Sequence, residues 1–511
     1  LFIIYKNIRM NKRVLLITEG TYPYNYGGVS SWSHTLCNLT RGIDFHLYSL
    51  NSEFERQPRY LLGKNIKSVT QLPLWAYDHP FDLIDYNISY KEVIEKKLNT
   101  TDFVINQQFI PLFRILIKNL IADHPNLDHL EQTVYNLYDY FKKHDYDKTL
   151  KSLPVWKEFK TILIDASLEE IEKITLEDIS FSLRWLSKML MTLSIPVPEV
   201  DIAHITLTGF PVIPALIAKK EHGSLVLGTE HGIFIREHMI YANSAPFSFF
   251  IKNLMIRCST TITKLAFTKS DKVTSVNIFN TTWEFKFGLS EDRSEIIYNG
   301  VDEHKFSCGK KPEHLKDTPT VVAIARIFAL KDILTMIRTC GHVKKTIPDI
   351  RFLVYGDKNA VPEYTLECNK LIKELELTDN FILAGHHSAP NKAFLEGDIS
   401  ILTSISEGFP YTVIESMSCG VPVVATDVGG VSEAITDTTG FICQPKKFED
   451  LGNKVIYLLQ NKEIRLQMGQ NARKRVLEHF TIDKIMRTYE DLYLNLQSAS
   501  MVVKKVESYA E

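Results

Sequence analysis

Residues 11–50 read NKRVLLITEGTYPYNYGGVSSWSHTLCNLTRGIDFHLYSL, and their rhythm decides the fold class. Arg13–Ile17 is a short apolar run bounded by polar residues, the pattern of a buried strand. The turn-rich loop EGTYPYNYGG follows at 19–28, then a helical stretch from about Val29 to Leu39, then a second strand at 44–50. A β-loop-α-β start built from buried strands predicts a parallel sheet covered by helices.

The same rhythm returns further along. DIAHI (201–205), SLVLGTEH (224–231) and DKVTSVN (271–277) read as strands of the same sheet. Between them, from about 90 to 195, long amphipathic stretches such as HLEQTVYNLYDYFKKH predict a helical insertion within the first domain. Glu303–Asp317 is charged, poor in apolar residues and carries Pro312, so it reads as a linker. Beyond it TVVAIARI, IRFLVYG, FILAG, ISILTS and PVVATD are strands spaced by helices, a second α/β unit. The expected organisation is therefore 10–302 for the first domain, 303–317 for the linker and 318–480 for the second domain. A last helix at 481–497 is expected to pack back on the first domain. A chain of 511 residues agrees with two domains, because single cores stop growing at roughly 250–300 residues. Met10 directly precedes the first strand, and Leu1–Arg9 is expected either to lie upstream of the natural start or to be a floppy extension.

Composition narrows the function classes. Lys plus Arg (59) nearly balance Asp plus Glu (61), which gives no reason to expect nucleic acid as a partner. Seven cysteines without Cys-x-x-Cys spacing argue against a disulfide framework and a zinc ribbon. With no long apolar run, the expectation is a soluble, cytoplasmic protein.

In open parallel sheets, ligands bind beyond the carboxyl ends of the strands. Four loops there carry unusual residues. Gly27 and Gly28 precede the first helix, where bare backbone amides can approach an anion, although a glycine pair also serves as plain turn chemistry. Arg326 and Lys331 follow the strand TVVAIA, and a planar fork beside a mobile point charge suits a diphosphate. In SISEGFPYTVIES, Glu407 lies on a loop with Gly408, Phe409 and Pro410, and Glu415 lies one turn into the next helix, able to accept from vicinal hydroxyls. TDVGG (426–430), with Glu433 beyond it, is placed as a wall beside that loop or as routine loop chemistry.

These residues carry a resemblance. The pair Glu407-x7-Glu415, the Arg326-x4-Lys331 segment ARIFALKD and IIYNGVD (296–302) resemble retaining glycosyltransferases of family 4, which have the GT-B fold. EGTYPYNYGGVSSW (19–32), TEHGIFIRE (229–237), PEYTLECNKLI (362–372) and LTSISEGFP (402–410) are similar to the Pel exopolysaccharide glycosyltransferase subfamily. The resemblance implies an α/β chain with two facing Rossmann-like domains that transfers a hexose, UDP-glucose or a related sugar nucleotide being the donor, to a glycan acceptor. It implies Arg326 and Lys331 on the donor diphosphate, Glu407 and the main chain after it (the amides of Gly408 and Phe409, with Pro410) on the sugar hydroxyls, and Glu415 on the ribose. Gly27 and Gly28 would approach the diphosphate, and no cofactor or metal is expected, since Arg326 and Lys331 neutralise the leaving group.

One position departs from the family pattern. An Asp-x-x-His-x-His stretch becomes DIAHIT, with Thr206 replacing the second histidine. His231, ranked ahead of His204, is then the candidate imidazole near the reaction centre, with backbone filling the role as the alternative, and a lone histidine reads more readily as a core or surface residue. Two other readings stay open: a UDP-sugar epimerase, and a non-catalytic sugar-nucleotide-binding subunit of a membrane polysaccharide synthase complex. The aromatic and basic stretch 246–267 fits either a peripheral contact with the inner membrane face or an amphipathic helix packed on the first sheet.

Overall fold

The computed structural model describes residues 11–55, 57–75, 88–166 and 174–496, so the expectation for Leu1–Arg9 lies outside the described residues. The chain divides into two compact units. The first comprises residues 1–275, 282–295 and 489–511, and the second 276–281 and 296–488.

The first unit is built on a seven-stranded sheet of order β3-β2-β1-β4-β5-β6-β7. Its strands are β1 (Lys12–Glu19), β2 (Ile43–Asn51), β3 (Ile66–Pro73), β4 (Ile202–Ile205), β5 (Leu225–Glu230), β6 (Lys272–Ser275) and β7 (Ser294–Ile296). Ladders β1·β2, β1·β4, β4·β5 and β5·β6 are all parallel. Val14 to Thr18 are buried on both faces of the sheet, which is why the run is apolar throughout rather than alternating.

Between β3 and β4 the chain is helical. Helix Ile110–Leu120 buries Ile110, Phe113, Leu116, Ile117 and Leu120, the three-four spacing of one helical face. Thr175 and Asp178 form a reciprocal capping box that starts helix Leu176–Met189. These helices share one apolar cluster with Leu15, Ile17, Tyr48 and Leu50 of the sheet, so the insertion is part of the first unit's core. Helix Phe249–Lys269 buries Ile251, Leu254, Met255, Cys258, Ile262 and Leu265, the packing expected of an amphipathic helix on the sheet. Among the described residues no helix is long and apolar enough to cross a membrane.

The second unit carries a six-stranded parallel sheet of order β10-β9-β8-β11-β12-β13. The strands are β8 (Thr320–Ile324), β9 (Arg351–Tyr355), β10 (Phe381–Gly385), β11 (Ile399–Leu402), β12 (Val423–Thr426) and β13 (Gly440–Cys443). In this order β8 and β11 are neighbours although their loops are far apart in sequence. The order reverses there, the place where such sheets form a ligand crevice.

The unit boundary corrects the expected one. It falls between Glu295 and Ile296 rather than at 302–303. Residues 303–317 are not a free connector but part of the second unit. Phe306 and Leu315 are buried in its core, and Lys311 pairs with Asp398 at 2.6 Å while donating to the Thr318 carbonyl at 2.7 Å. Two buried side chains in a charged segment were enough to dock it, a signal that average composition hides. The last helix, Ile482–Asn495, is divided between the units at Tyr489.

Candidate functional site

In the second unit the loops after β8 and β11 are stitched together. The Thr403 hydroxyl donates to the carbonyls of Lys331 and Asp332 at 2.9 and 3.0 Å, and the Ile405 amide donates to the Leu330 carbonyl at 2.9 Å. Asp332, at φ 44°, turns the chain and caps helix Ile333–Lys344 by accepting from the Thr335 amide. That turn aims Lys331 at the β11 loop, where its Nζ lies 2.5 Å from Glu407 Oε1. The Ser404 hydroxyl donates to the same oxygen at 2.5 Å. Glu407 Oε2 is left for another donor, and Lys331 retains donor capacity beyond this one bond.

Arg326 is exposed, with its guanidinium 5.0 Å from the centre of the Phe328 ring. Among the described residues it has no ion-pair partner, so Arg326 is a held but unneutralised cation. Helix Tyr411–Ser418 starts at Pro410 without a side-chain cap. Glu415 lies in that helix, and burial pushes its carboxyl up to about 7, with Lys305 pulling the other way. No protein donor satisfies Glu415 among the described residues, so a ligand hydroxyl would find it free.

The TDVGG loop does form the wall placed beside this one. The Gly430 amide donates to the Gly408 carbonyl at 2.8 Å. Gly429, at φ 55°, lies so close that a Cβ there would meet the Glu407 carbonyl oxygen at 2.0 Å. Glu433 is committed elsewhere: its carboxylate accepts from the Ile278 amide at 2.8 Å and from the Phe279 amide at 3.2 Å. Phe409 is only 3 % exposed and packs against Tyr298 and Phe480, so it and Pro410 can offer a ligand main-chain atoms, not side chains. Asn299, from the IIYNGVD stretch, donates to the Phe409 carbonyl at 2.8 Å and so supports the loop from beneath. Gly356 escaped the sequence reading, yet a Cβ there would sit 1.9 Å from the Ala325 carbonyl oxygen, directly beside Arg326. Its signal was a glycine at the carboxyl end of a strand, in VYGD.

In the first unit, Gly27 is the N-cap of helix Gly28–Leu39, again without a side-chain cap, and both glycines are exposed. His204 is a core residue. Its ring nitrogens lie 2.7 Å from the Tyr493 and Thr229 hydroxyls, and burial lowers its pKa to about 3. His231 is held edge-on to Trp32 with ring centres 4.5 Å apart, and its Nε2 is buried without a partner among the described residues. Burial lowers its pKa to about 3, so the ring is neutral. Two carboxyls at strand ends were missed. Glu19 closes β1 with Oε2 unpartnered among the described residues, and burial raises it to about 7. Glu230 closes β5 and is fully buried.

Comparison with known proteins agrees with this layout. The chain belongs to the family described as "Domain of unknown function (DUF3492)", whose model matches residues 12–292. A second family model, "Glycosyl transferases group 1", matches residues 309–475. The second family model falls on the second unit, and the whole chain shares the two-domain GT-B fold of the solved glycosyltransferases below. It is 27% identical over 239 residues to the N-acetyl-alpha-D-glucosaminyl L-malate synthase of Bacillus anthracis, covering 45% of this chain and 60% of that one. It is 32% identical over 183 residues to the trehalose synthase of Thermococcus litoralis, covering 34% and 44%. These alignments span roughly half the length of the relatives. Among solved structures, sucrose-phosphate synthase from Thermosynechococcus elongatus superposes with TM-score 0.60 at 14% identity, covering 95% and 99%. Anabaena HepE, solved in complex with UDP, superposes at 0.57 and 15% identity, covering 95% and 100%.

Proposed function

We propose that this protein is a retaining glycosyltransferase that moves a hexose from a UDP-sugar, UDP-glucose or a close relative, to a glycan acceptor in exopolysaccharide synthesis. The observation that carries the reading is the pairing of Lys331 with Glu407 where the loops after β8 and β11 meet, with Arg326 earlier on the β8 loop and helix Tyr411–Ser418 starting just beyond Glu407. The complex of HepE with UDP and the glycosyl transferases group 1 match support a nucleotide-sugar donor.

In this reading Arg326 and Lys331 hold the diphosphate and stabilise the negative charge that grows on it as the sugar leaves. Glu407, already oriented by Lys331 and Ser404, accepts from a sugar hydroxyl, and Glu415 accepts from the ribose. The anomeric carbon–diphosphate bond breaks as the acceptor oxygen bonds to that carbon on the same face, and the acceptor's proton passes to the departing diphosphate oxygen, so configuration is retained. Positioning and preorganised charge supply the catalysis, and no protein group forms a covalent intermediate.

The test is a melting-temperature series against UDP, GDP, ADP and NAD. A ligand that binds only the folded state raises the melting temperature by mass action. A shift with UDP alone is expected, followed by UDP release from UDP-glucose. A shift with GDP or ADP instead overturns the donor, and no shift with any of them overturns the reading.

A further inference from the structure

The second unit carries a groove of about 810 Å³ that none of the proposed donor groups lines. It runs beside β13, the edge strand of the six-stranded sheet, and along helix Phe448–Gln460. A groove of this size encloses a ligand of several rings rather than a single ion.

The helix fixes the groove's shape. Leu451, Val455 and Leu458 are buried in the core beneath it. Gly452 lets the helix lie close on helix Ile333–Lys344, since a Cβ there would meet His342 Cδ2 at 2.6 Å. His342 Nε2 also lies 2.8 Å from Asn453 Oδ1. Asp450, Asn453, Lys454 and Tyr457 follow one another at three- and four-residue spacing, so they form one exposed stripe along the groove. Tyr457 is 42 % exposed and stands edge-on to the half-buried Phe441 of β13, with ring centres 5.9 Å apart. Lys454 Nζ lies 4.7 Å from the centre of the Phe441 ring. Around the rings stand Asp427, Gln444 and Asp450, whose side chains make no hydrogen bond or ion pair among the described residues, and neither does the Tyr457 hydroxyl.

That chemistry selects a class of ligand. A sugar ring offers a C–H face that lies on an aromatic ring, and hydroxyls that both donate and accept. Carboxylate, amide and phenol groups around two rings match such a ligand. Two carboxylates against one ammonium disfavour a phosphate-bearing ligand. An added peptide strand would find only the four residues Gly440–Cys443 to pair with. We propose that this groove binds a neutral oligosaccharide segment, with one sugar ring lying on Tyr457 and Phe441 and its hydroxyls held by Asp427, Gln444 and Asp450. The site lies wholly within the second unit and does not depend on the donor reading.

Saturation-transfer NMR on the full chain, with cellohexaose and maltohexaose as separate probes, tests the proposal. Transfer to at least one glycan is expected. Tyr457→Ala should weaken its Kd at least tenfold and Asp450→Ala severalfold, and both variants should keep the wild-type melting temperature because both side chains are exposed. No transfer to either glycan overturns the proposal, as does a Kd left unchanged in either variant. A lysine-rich peptide that displaces the bound glycan at equal concentration would assign the groove to protein and overturn it too. UDP release from UDP-glucose is scored separately: its absence sinks the donor reading and leaves glycan binding in the groove standing.

Discussion

At the scale of the residue, the candidate site is a problem of charge placement. Lys331 makes a contact with Glu407, and under our reading it also faces the diphosphate. A charge-assisted hydrogen bond contributes roughly 1.5–3 kcal/mol. Lys331→Ala should therefore lower kcat/KM for the UDP-sugar about ten- to a hundredfold, at about 1.4 kcal/mol per decade. Turnover at the wild-type rate would remove Lys331 from the diphosphate. Glu415 makes a second prediction. Burial raises Glu19, Glu284 and Glu415 from 4.5 to about 7, and Glu230 to about 8. Between those limits the folded chain holds protons that the unfolded chain has released, so each of these groups lowers stability as pH rises through the window. Their stabilising contribution is full below 4.5 and lost above about 7 to 8. Melting temperature followed from about pH 5 to 8 should decline less steeply in Glu415→Gln than in wild type. Equal slopes would show that Glu415 is not a protonated carboxyl in the fold. Residue identity made Arg326, Lys331, Glu407 and Glu415 legible, because each stands at a strand end or helix start in a readable motif. Glu19 and Glu230 stand at strand ends too, but a single acid after a strand looks like any surface acid until its burial is known.

At the scale of the element, what matters is how loops are held against one another. The β11 loop is gripped by Thr403 and Ile405 on one side and by the glycines of TDVGG on the other. Gly429 combines a left-handed φ of 55° with a position where an added Cβ would lie 2.0 Å from the Glu407 carbonyl oxygen, so no side chain fits without pushing Glu407 away. Gly429→Ala should cost about 1–3 kcal/mol through strain and overpacking, and it should abolish the UDP-induced melting shift. A variant that melts lower yet keeps the full UDP shift would show that Glu407's placement is not what the donor needs. The strand–loop–helix order was legible from hydrophobic rhythm alone. The docking of residues 303–317 was not, because Phe306 and Leu315 are isolated apolar residues in a polar stretch. Only the shape of the second unit gives them a pocket.

At the scale of the molecule, the chain holds separate apolar cores. One cluster spans the first sheet and the helical insertion, and two others fill the second unit. Multidomain chains of this kind depart from two-state unfolding. Calorimetry should resolve two transitions, and UDP should raise the one belonging to the second unit, since every group proposed to hold the donor diphosphate and sugar except Gly27 and Gly28 lies there. If UDP moved only the other transition, the donor site would be misplaced. The fold class, the two-unit plan and the insertion were all readable beforehand, because buried parallel strands and amphipathic helices write their periods directly into the chain. The point where one unit gives way to the other was not. The chain enters the second unit briefly at 276–281, returns, and crosses again at 296.

Sequence by itself determined the alternation of buried strands and helices and the residue types at the strand ends, since period and chemistry are local properties. Tertiary structure alone decided that β8 lies beside β11, bringing Lys331 to Glu407 across a sequence separation of 76. It also decided that His204 is spent on Tyr493 and Thr229 while His231 keeps an unpartnered nitrogen. Which polar atoms find partners depends on neighbours distant in the chain, and burial sets the cost of leaving one without.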